Sequence, residues 1–195
     1  MALILASKSP RRRELLAIIE PDYVTAPDRE VEESYPATLA ADEVPAYLSR
    51  LKSSAYLDTA AEGDIVLTAD TVVILDGEIL GKPRDTADAC AMLGRLSGRT
   101  HRVVTGVTLA SPGCEPMTFS SVTEVTFAPL AQSDIESYVD RCRPLDKAGA
   151  YGIQEWIGAA AVEKINGSYY NVVGLPLHKL LYALRDYRAA MVSRR

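Results

Sequence analysis

Histidine is nearly missing from this sequence: His101 and His178 are its two copies in 195 residues. Neither an HExxH zinc helix nor any other paired-histidine metal site fits them. Cysteine is scarce as well. Cys90, Cys114 and Cys142 match neither a CxxC redox pair nor a zinc knuckle. Their odd number predicts free thiols in a reducing compartment. No apolar run approaches about 18 residues, which excludes a membrane span. The stretch Met1 to Ala6 is too short for a signal peptide, and Arg11-Arg12-Arg13 stand where a cleavage region would lie. A cytoplasmic location follows by elimination. Basic excess is absent too. Lys and Arg number 21 against 26 Asp and Glu, a net charge of −5, which argues against binding nucleic acid. GxSxG and GxxxxGK[ST] do not occur, so neither a serine-hydrolase elbow nor a Walker loop is present.

What is present is an ordinary globular composition, 48% hydrophobic and 24% charged, long enough for a sizeable core. Residues 2–6 read as a buried strand. Ser9 reads as the N-cap and Pro10 as the first residue of a helix, with Leu15, Leu16 and Ile19 on its apolar face. An acidic, proline-containing loop runs from Ala26 to Thr38. Pro45 opens a helix with Tyr47, Leu48, Leu51 and Ala55 as its buried stripe and Lys52 beside it. Ile65 to Ala69 and Val72 to Leu75 are β-favouring runs, and Asp76-Gly77 predicts a hairpin into Glu78-Ile79-Leu80. Asp85 caps a helix to about Leu96. Val103 to Leu109 and Ser121 to Phe127 read as strands. Ser133 with Glu136 matches a capping box for a helix to Cys142. Asn166-Gly167 predicts a second hairpin, between Ala160–Ile165 and Tyr169–Val173. A closing helix covers Leu177 to Tyr187. Two hairpins among alternating helices and strands predict an α/β fold with a mixed β-sheet flanked by helices.

Three segments carry residues suited to chemistry. Ser7-Lys8-Ser9-Pro10-Arg11-Arg12 joins a strand to a helix N-terminus, where free N–H groups, hydroxyls and guanidinium groups suit an anion. A capped helix with solvated arginines fits the same residues. Asp70 ends an apolar run in Thr68-Ala69-Asp70-Thr71, placed to ligate a metal or orient water, or else simply a turn aspartate. Lys82 follows after one hairpin, near Asp70 or solvated. In Pro144-Leu145-Asp146-Lys147-Ala148-Gly149-Ala150-Tyr151-Gly152-Ile153-Gln154 the glycines permit close backbone approach, and the Gln154 amide can read a base edge. The same stretch also reads as a plain glycine-rich loop. Glu30, Glu32 and Glu33 are a Mg²⁺ site or a solvated run.

Taken in order, these segments resemble one family. Ser7-Lys8-Ser9-Pro10-Arg11-Arg12, Ala69-Asp70-Thr71, Gly81-Lys82-Pro83-Arg84, Leu96-Ser97-Gly98, Asp146-Lys147-Ala148-Gly149, Ile165-Asn166-Gly167-Ser168-Tyr169 and Val172-Val173-Gly174-Leu175-Pro176 are similar to the signatures of Maf-type nucleotide pyrophosphatases. Together they span residues 2 to about 184. The resemblance implies a single domain over residues 1–195, Maf/ITPase-like, with two lobes around a deep cleft, often as a homodimer. It implies hydrolysis of a nucleoside triphosphate to the monophosphate and pyrophosphate with a divalent cation, Mg²⁺ or Mn²⁺. By motif matching the essential carboxylate falls on Asp70, the phosphate-site cations on Arg12, Lys52 and Lys82, and a metal-linked acid on Glu32. Ser7 belongs to the substrate loop. Arg11, Thr71 and Gln154 match the selectivity positions of the dTTP/UTP branch. Lys8 stands where a small residue is common, and Glu155-Trp156 replaces a glycine usual after Gln154. A pyrophosphatase for modified or purine nucleotides, and a non-catalytic nucleotide-binding regulator of cell division, are the competing expectations.

Overall fold

A computed structural model describes residues 1–193 of the chain. Two compact units divide it. The first comprises Met1–Asp70, Thr105–Ser121 and the segment from Gly174 onward; the second comprises Thr71–Val104 and Val122–Val173. The strands β1 (Leu3–Leu5), β2 (Val24–Thr25), β3 (Ile65–Leu75), β4 (Glu78–Leu80), β5 (Thr100–Ala110), β6 (Met117–Phe127) and β7 (Val162–Asn166) form a sheet in the order β2-β1-β3-β5-β6-β7, with β4 also on β3. β1 pairs in parallel with β2 and β3, while β4 and β7 run antiparallel to β3 and β6. The expected mixed sheet is therefore observed. Among the described residues, no helix is long and apolar enough to cross a membrane.

In the first unit, helix α1 (Pro10–Ile19) begins as the sequence predicts. Ser9 is the N-cap and its hydroxyl accepts from Arg12 N. Leu15 and Leu16 are buried, and the helix packs on α7 (Leu177–Val192), which extends beyond the expected Tyr187. Helix α2 (Val44–Ser54) carries Pro45 in its first turn, but of the expected stripe only Leu48 is fully buried, with Leu51 and Ala55 half-buried. Val44, Pro45, Leu48, Ser49 and Ser53 are buried, whereas Tyr47 is 40% exposed. Small hydroxyl residues let the helix lie close to the sheet, where a tyrosine would not fit. Ser49 Oγ lies 2.9 Å from Thr108 Oγ1 and also donates to Ala46 O, so the buried hydroxyl is satisfied.

In the second unit, Asp76 and Gly77 adopt positive φ, as a tight hairpin between β3 and β4 requires. Asp85 caps α3 (Thr86–Leu96) by accepting from Asp88 N, again as expected. Helix α4 (Gln132–Cys142) differs. Its N-cap is Ala131, without a side-chain cap, so the Ser133–Glu136 capping box does not form; Glu136 instead accepts from Gln132 one turn earlier. The two runs expected as separate strands, residues 65–69 and 72–75, are one continuous strand of 11 residues, β3, which carries Asp70 and Thr71 within it.

The second hairpin is also absent. β7 returns along β6, but Tyr169–Val173 is a short helix, α6, that comes after α5 (Trp156–Ala160) in the helix series. The fully buried Asn171 accounts for this. Its amide donates to Val103 O and to Thr123 Oγ1, both at 3.0 Å, and Ser168 N donates to the same threonine. A strand here would pull that amide out of the core and leave those groups unsatisfied.

α3 and α4 pack over a core of Leu93, Leu96, Phe127, Tyr138 and Ile157. His101 sits inside it at 1% exposure, in edge-to-face contact with Phe127 and Tyr151, its Nε2 2.8 Å from the Tyr151 hydroxyl. Burial lowers its pKa to about 4. The unfolded chain therefore binds a proton that the native chain refuses between about pH 6.5 and that value. The stabilisation from the neutral ring is full above about pH 6.5 and is lost as pH falls toward about 4. It amounts to on the order of 3 kcal/mol. Urea midpoints for the wild type should fall over this window, and His101→Gln should flatten the fall; parallel pH profiles for the two proteins would contradict it.

Candidate functional site

The sequence and packing of the first unit converge on one cluster of charge. α2 and β3 are tied twice. Thr68 Oγ1 donates to Ser49 O at 2.6 Å, and Lys52 Nζ donates to Asp70 Oδ1 at 2.7 Å. Thr68 and Asp70 share a strand face, and Ser49 and Lys52 lie one helical turn apart, so each strand position meets its helix position. Both side chains of the ion pair are shielded, at 15% and 13% exposure. Lys52 has a second carboxylate, Glu33 Oε1, at 3.0 Å.

Glu33 is itself 50% exposed, but the stretch of loop that precedes it is pinned. Ala26 and Val31 pack against a cluster of Ala6, Tyr56 and Val66. Arg29 lies over the Tyr56 ring, donates to Ala55 O and pairs with Asp58 at 2.8 Å. The expected acid, Glu32, and its neighbour Glu33 are both exposed, and it is Glu33 that reaches Lys52. Two adjacent glutamates carry no local signal that separates them; the anchoring by Arg29 and Val31 does.

Arg12 completes the cluster. Its Nε donates to Gly174 O at 2.9 Å and its Nη1 to Ala69 O at 2.8 Å, one residue before the carboxylate. Burial lowers the guanidinium pKa, the nearby Asp70 opposes that, Arg11 adds to it, and Glu33 opposes it. An arginine still keeps its proton at neutral pH. Ser7 Oγ accepts from Ser9 N at 3.3 Å, leaving its hydroxyl hydrogen to donate at the mouth of α1. The first unit therefore gathers Arg12, Lys52, Asp70 and Glu33, with Ser7 and Arg11 at the start of α1.

Such an arrangement can bind phosphate oxygens through guanidinium, ammonium and helix N-terminus, and can present a carboxylate to water. The model for Maf-like proteins matches residues 2–187. This chain belongs to the Maf-like family. Curated relatives include the dTTP/UTP pyrophosphatase of Phocaeicola vulgatus, 49% identical over 183 residues, 94% of each chain. That of Porphyromonas gingivalis W83 is 49% identical over 187 residues, 95% of this chain and 94% of its own. Among solved structures, the Staphylococcus aureus Ham1 protein aligns over 66% of this chain and 72% of its own, with 22% identity and a TM-score of 0.49.

The remaining motif residues of this Maf-like chain belong to the second unit. Thr71 is half-buried on β3, Lys82 is exposed after β4, and Gln154 is exposed before α5. Gly81 O accepts from Gly149 N at 3.0 Å, so the segment bearing Lys82 meets the glycine-rich loop. A side chain at Gly149 would run into Val73, and its φ is +67°. Lys147, which the sequence presents as one half of a loop pair with Asp146, is buried and reaches Glu155 as well, at 3.1 Å. Nothing in local spacing signals that second partner.

α2 owes its position to Gly106 on β5. A Cβ there would lie 2.2 Å from Ala46 N and 2.4 Å from Pro45 O, backbone atoms that cannot rotate aside. Gly106→Ala should cost about 2 kcal/mol or more in urea unfolding. It should also reduce turnover of still-folded protein by displacing Lys52 from Asp70. A variant with wild-type midpoint and turnover would show that the seat is not tight.

Proposed function

We propose that this Maf-like chain is a nucleoside triphosphate pyrophosphatase that hydrolyses dTTP and UTP to the monophosphate and pyrophosphate. The observation that carries the reading is Asp70, a shielded carboxylate set directly beside Lys52 and Arg12. A protein that only bound nucleotide would gain nothing from a carboxylate among its phosphate-binding cations. The names of the curated relatives agree with it. Free Cys90, Cys114 and Cys142 suit a reducing, cytoplasmic setting, and a homodimer is part of the same proposal.

Lys52 and Arg12 bind phosphate oxygens and stabilise charge as it moves toward the leaving group. Asp70 orients a water molecule and takes its proton as the water oxygen attacks the α-phosphorus. The bond from the α-phosphorus to the bridging oxygen breaks, and pyrophosphate leaves with the electron pair. Lys82 is assigned a further phosphate contact, and Ser7 a hydroxyl donor to the same phosphates.

A divalent cation fits this donor set. Asp70 and Glu33 both lie within 3.0 Å of the Lys52 ammonium, so Mg²⁺ or Mn²⁺ held by the same two carboxylates would take the place of that ammonium as it turns to phosphate. Among the described residues no set of three or more His, Cys, Asp and Glu converges, so phosphate oxygens and water would complete the coordination. Bound there, the ion would supply Lewis-acid neutralisation of phosphate charge. The metal-holding pair proposed is thus Asp70 with Glu33.

Asp70→Asn keeps an oxygen for Lys52 but cannot take a proton. It should lower kcat by about 10²-fold or more with the fold intact. With wild-type enzyme in ¹⁸O-water, dTTP should give equal dTMP and pyrophosphate, with label in dTMP. A near-normal Asp70→Asn rate would remove Asp70 from the catalytic role; label in pyrophosphate would move the attack to the β-phosphorus.

Gln154, with Arg11 and Thr71, is proposed to read the base. A glutamine amide donates to one carbonyl of uracil or thymine and accepts from N3–H. Cytosine lacks that N–H, so the Gln154 amide oxygen, once covered by the bound base, would be left unpaired at a cost of about 1–3 kcal/mol. Wild-type kcat/KM for UTP should exceed that for CTP by roughly tenfold or more, and Gln154→Ala should narrow the gap. Equal kcat/KM for UTP and CTP would refute this base reading, and ATP or GTP as the best substrate would favour the purine alternative.

A further inference from the structure

Gln154 is exposed, yet the backbone on both sides of it is held by buried groups. Gly152 N donates to the Tyr138 hydroxyl oxygen at 3.1 Å. That hydroxyl donates in turn to Glu155 Oε2 in a short bond. Glu155 Oε1 lies 3.1 Å from Lys147 Nζ, which also meets Asp146 Oδ1 at 2.8 Å. Glu155 N donates back to Gly152 O at 3.0 Å, closing a turn whose central residues are the buried Ile153 and the exposed Gln154.

The network is tightly fitted. A Cβ on Gly152 would fall 2.9 Å from Glu155 Cδ and 3.1 Å from Lys147 Cε. Tyr138 is wholly buried, and its ring stacks at 6.4 Å on Trp156, which Arg141 covers from 5.5 Å. Burial, and then the bond to Glu155, raise the Tyr138 pKa, so the hydroxyl keeps its proton and stays a donor. Shielded ionic groups of this kind add little net stability, because desolvation offsets their attraction. What a fully connected network does supply is rigidity.

We propose that Glu155, acting through Tyr138 and Lys147, is a positioning residue that sets base selectivity by fixing the turn that presents Gln154. The inference rests on Gln154 as the base reader. A turn free to shift by about an ångström would let the Gln154 amide adapt to either the uracil or the cytosine edge. A locked turn holds the amide to one pattern.

Tyr138→Phe removes one oxygen and two hydrogen bonds while keeping the ring; Glu155→Ala removes the carboxylate. Each should speed amide hydrogen exchange at residues 152–156 by about tenfold, with α3 unaffected. Each should raise KM for UTP more than it lowers kcat, and should reduce the UTP-to-CTP ratio of kcat/KM several-fold. Glu155→Gln, which still accepts from Tyr138, should recover part of the loss. Added to Gln154→Ala, Glu155→Ala should reduce the ratio no further. Unchanged exchange, or a loosened turn with an unchanged ratio, would overturn the proposal. If Gln154→Ala alone leaves the ratio at its wild-type value, the base-reader assignment fails instead, and the exchange and KM data decide whether Glu155 holds the turn.

Discussion

For Lys52 Nζ to stand 2.7 Å from Asp70 Oδ1, the backbone of α2 must come against the sheet more closely than ordinary side chains allow. Gly106 provides the room, Pro45 and Ala46 occupy it, and Ser49 and Thr68 satisfy the polar groups that close approach would otherwise strand. The ion pair itself is a modest source of stability, since both partners are largely removed from water. Its consequence is geometric: a carboxylate and an ammonium are fixed at one point before any ligand arrives.

That same point organises its neighbours. Arg12 is held by two backbone carbonyls, which set its charge beside the carboxylate of Asp70. Glu33 arrives from a loop whose stability lies elsewhere, in Arg29, Val31 and Tyr56. Arg12 and Lys52 balance Asp70 and Glu33 in formal charge, so the cluster is close to neutral in the free protein. A triphosphate brings more negative charge than Arg12 and Lys52 can meet, which is the physical case for an accompanying divalent cation.

Much of the fold was legible where local chemistry decides conformation. Ser9-Pro10 set a helix start, Asp76-Gly77 a hairpin, and Asp85 a cap, each through backbone geometry that few other residues satisfy. Local signals misled where a distant partner overrode them. Ser133 and Glu136 have the spacing of a capping box, but the N-cap lies two residues earlier, at Ala131, and Glu136 bonds to Gln132. Asn166-Gly167 looks like a hairpin turn, yet Asn171 is drawn into the core by Val103 and Thr123, and Tyr169–Val173 becomes a helix around it.

The candidate site divides in the same way. The sequence alone determined its family, the mixed sheet, and the identity of Asp70, Lys52 and Arg12 as residues of interest, because ordered motifs and helix or strand periodicity are properties of neighbours along the chain. Only the tertiary structure decided that Glu33 rather than Glu32 meets Lys52, that α2 buries serines rather than Tyr47, and that Lys147 is joined to Glu155 and Tyr138. Those outcomes depend on contacts between segments far apart in sequence, whose distances are set by how closely backbones can pack and by which buried polar groups find partners.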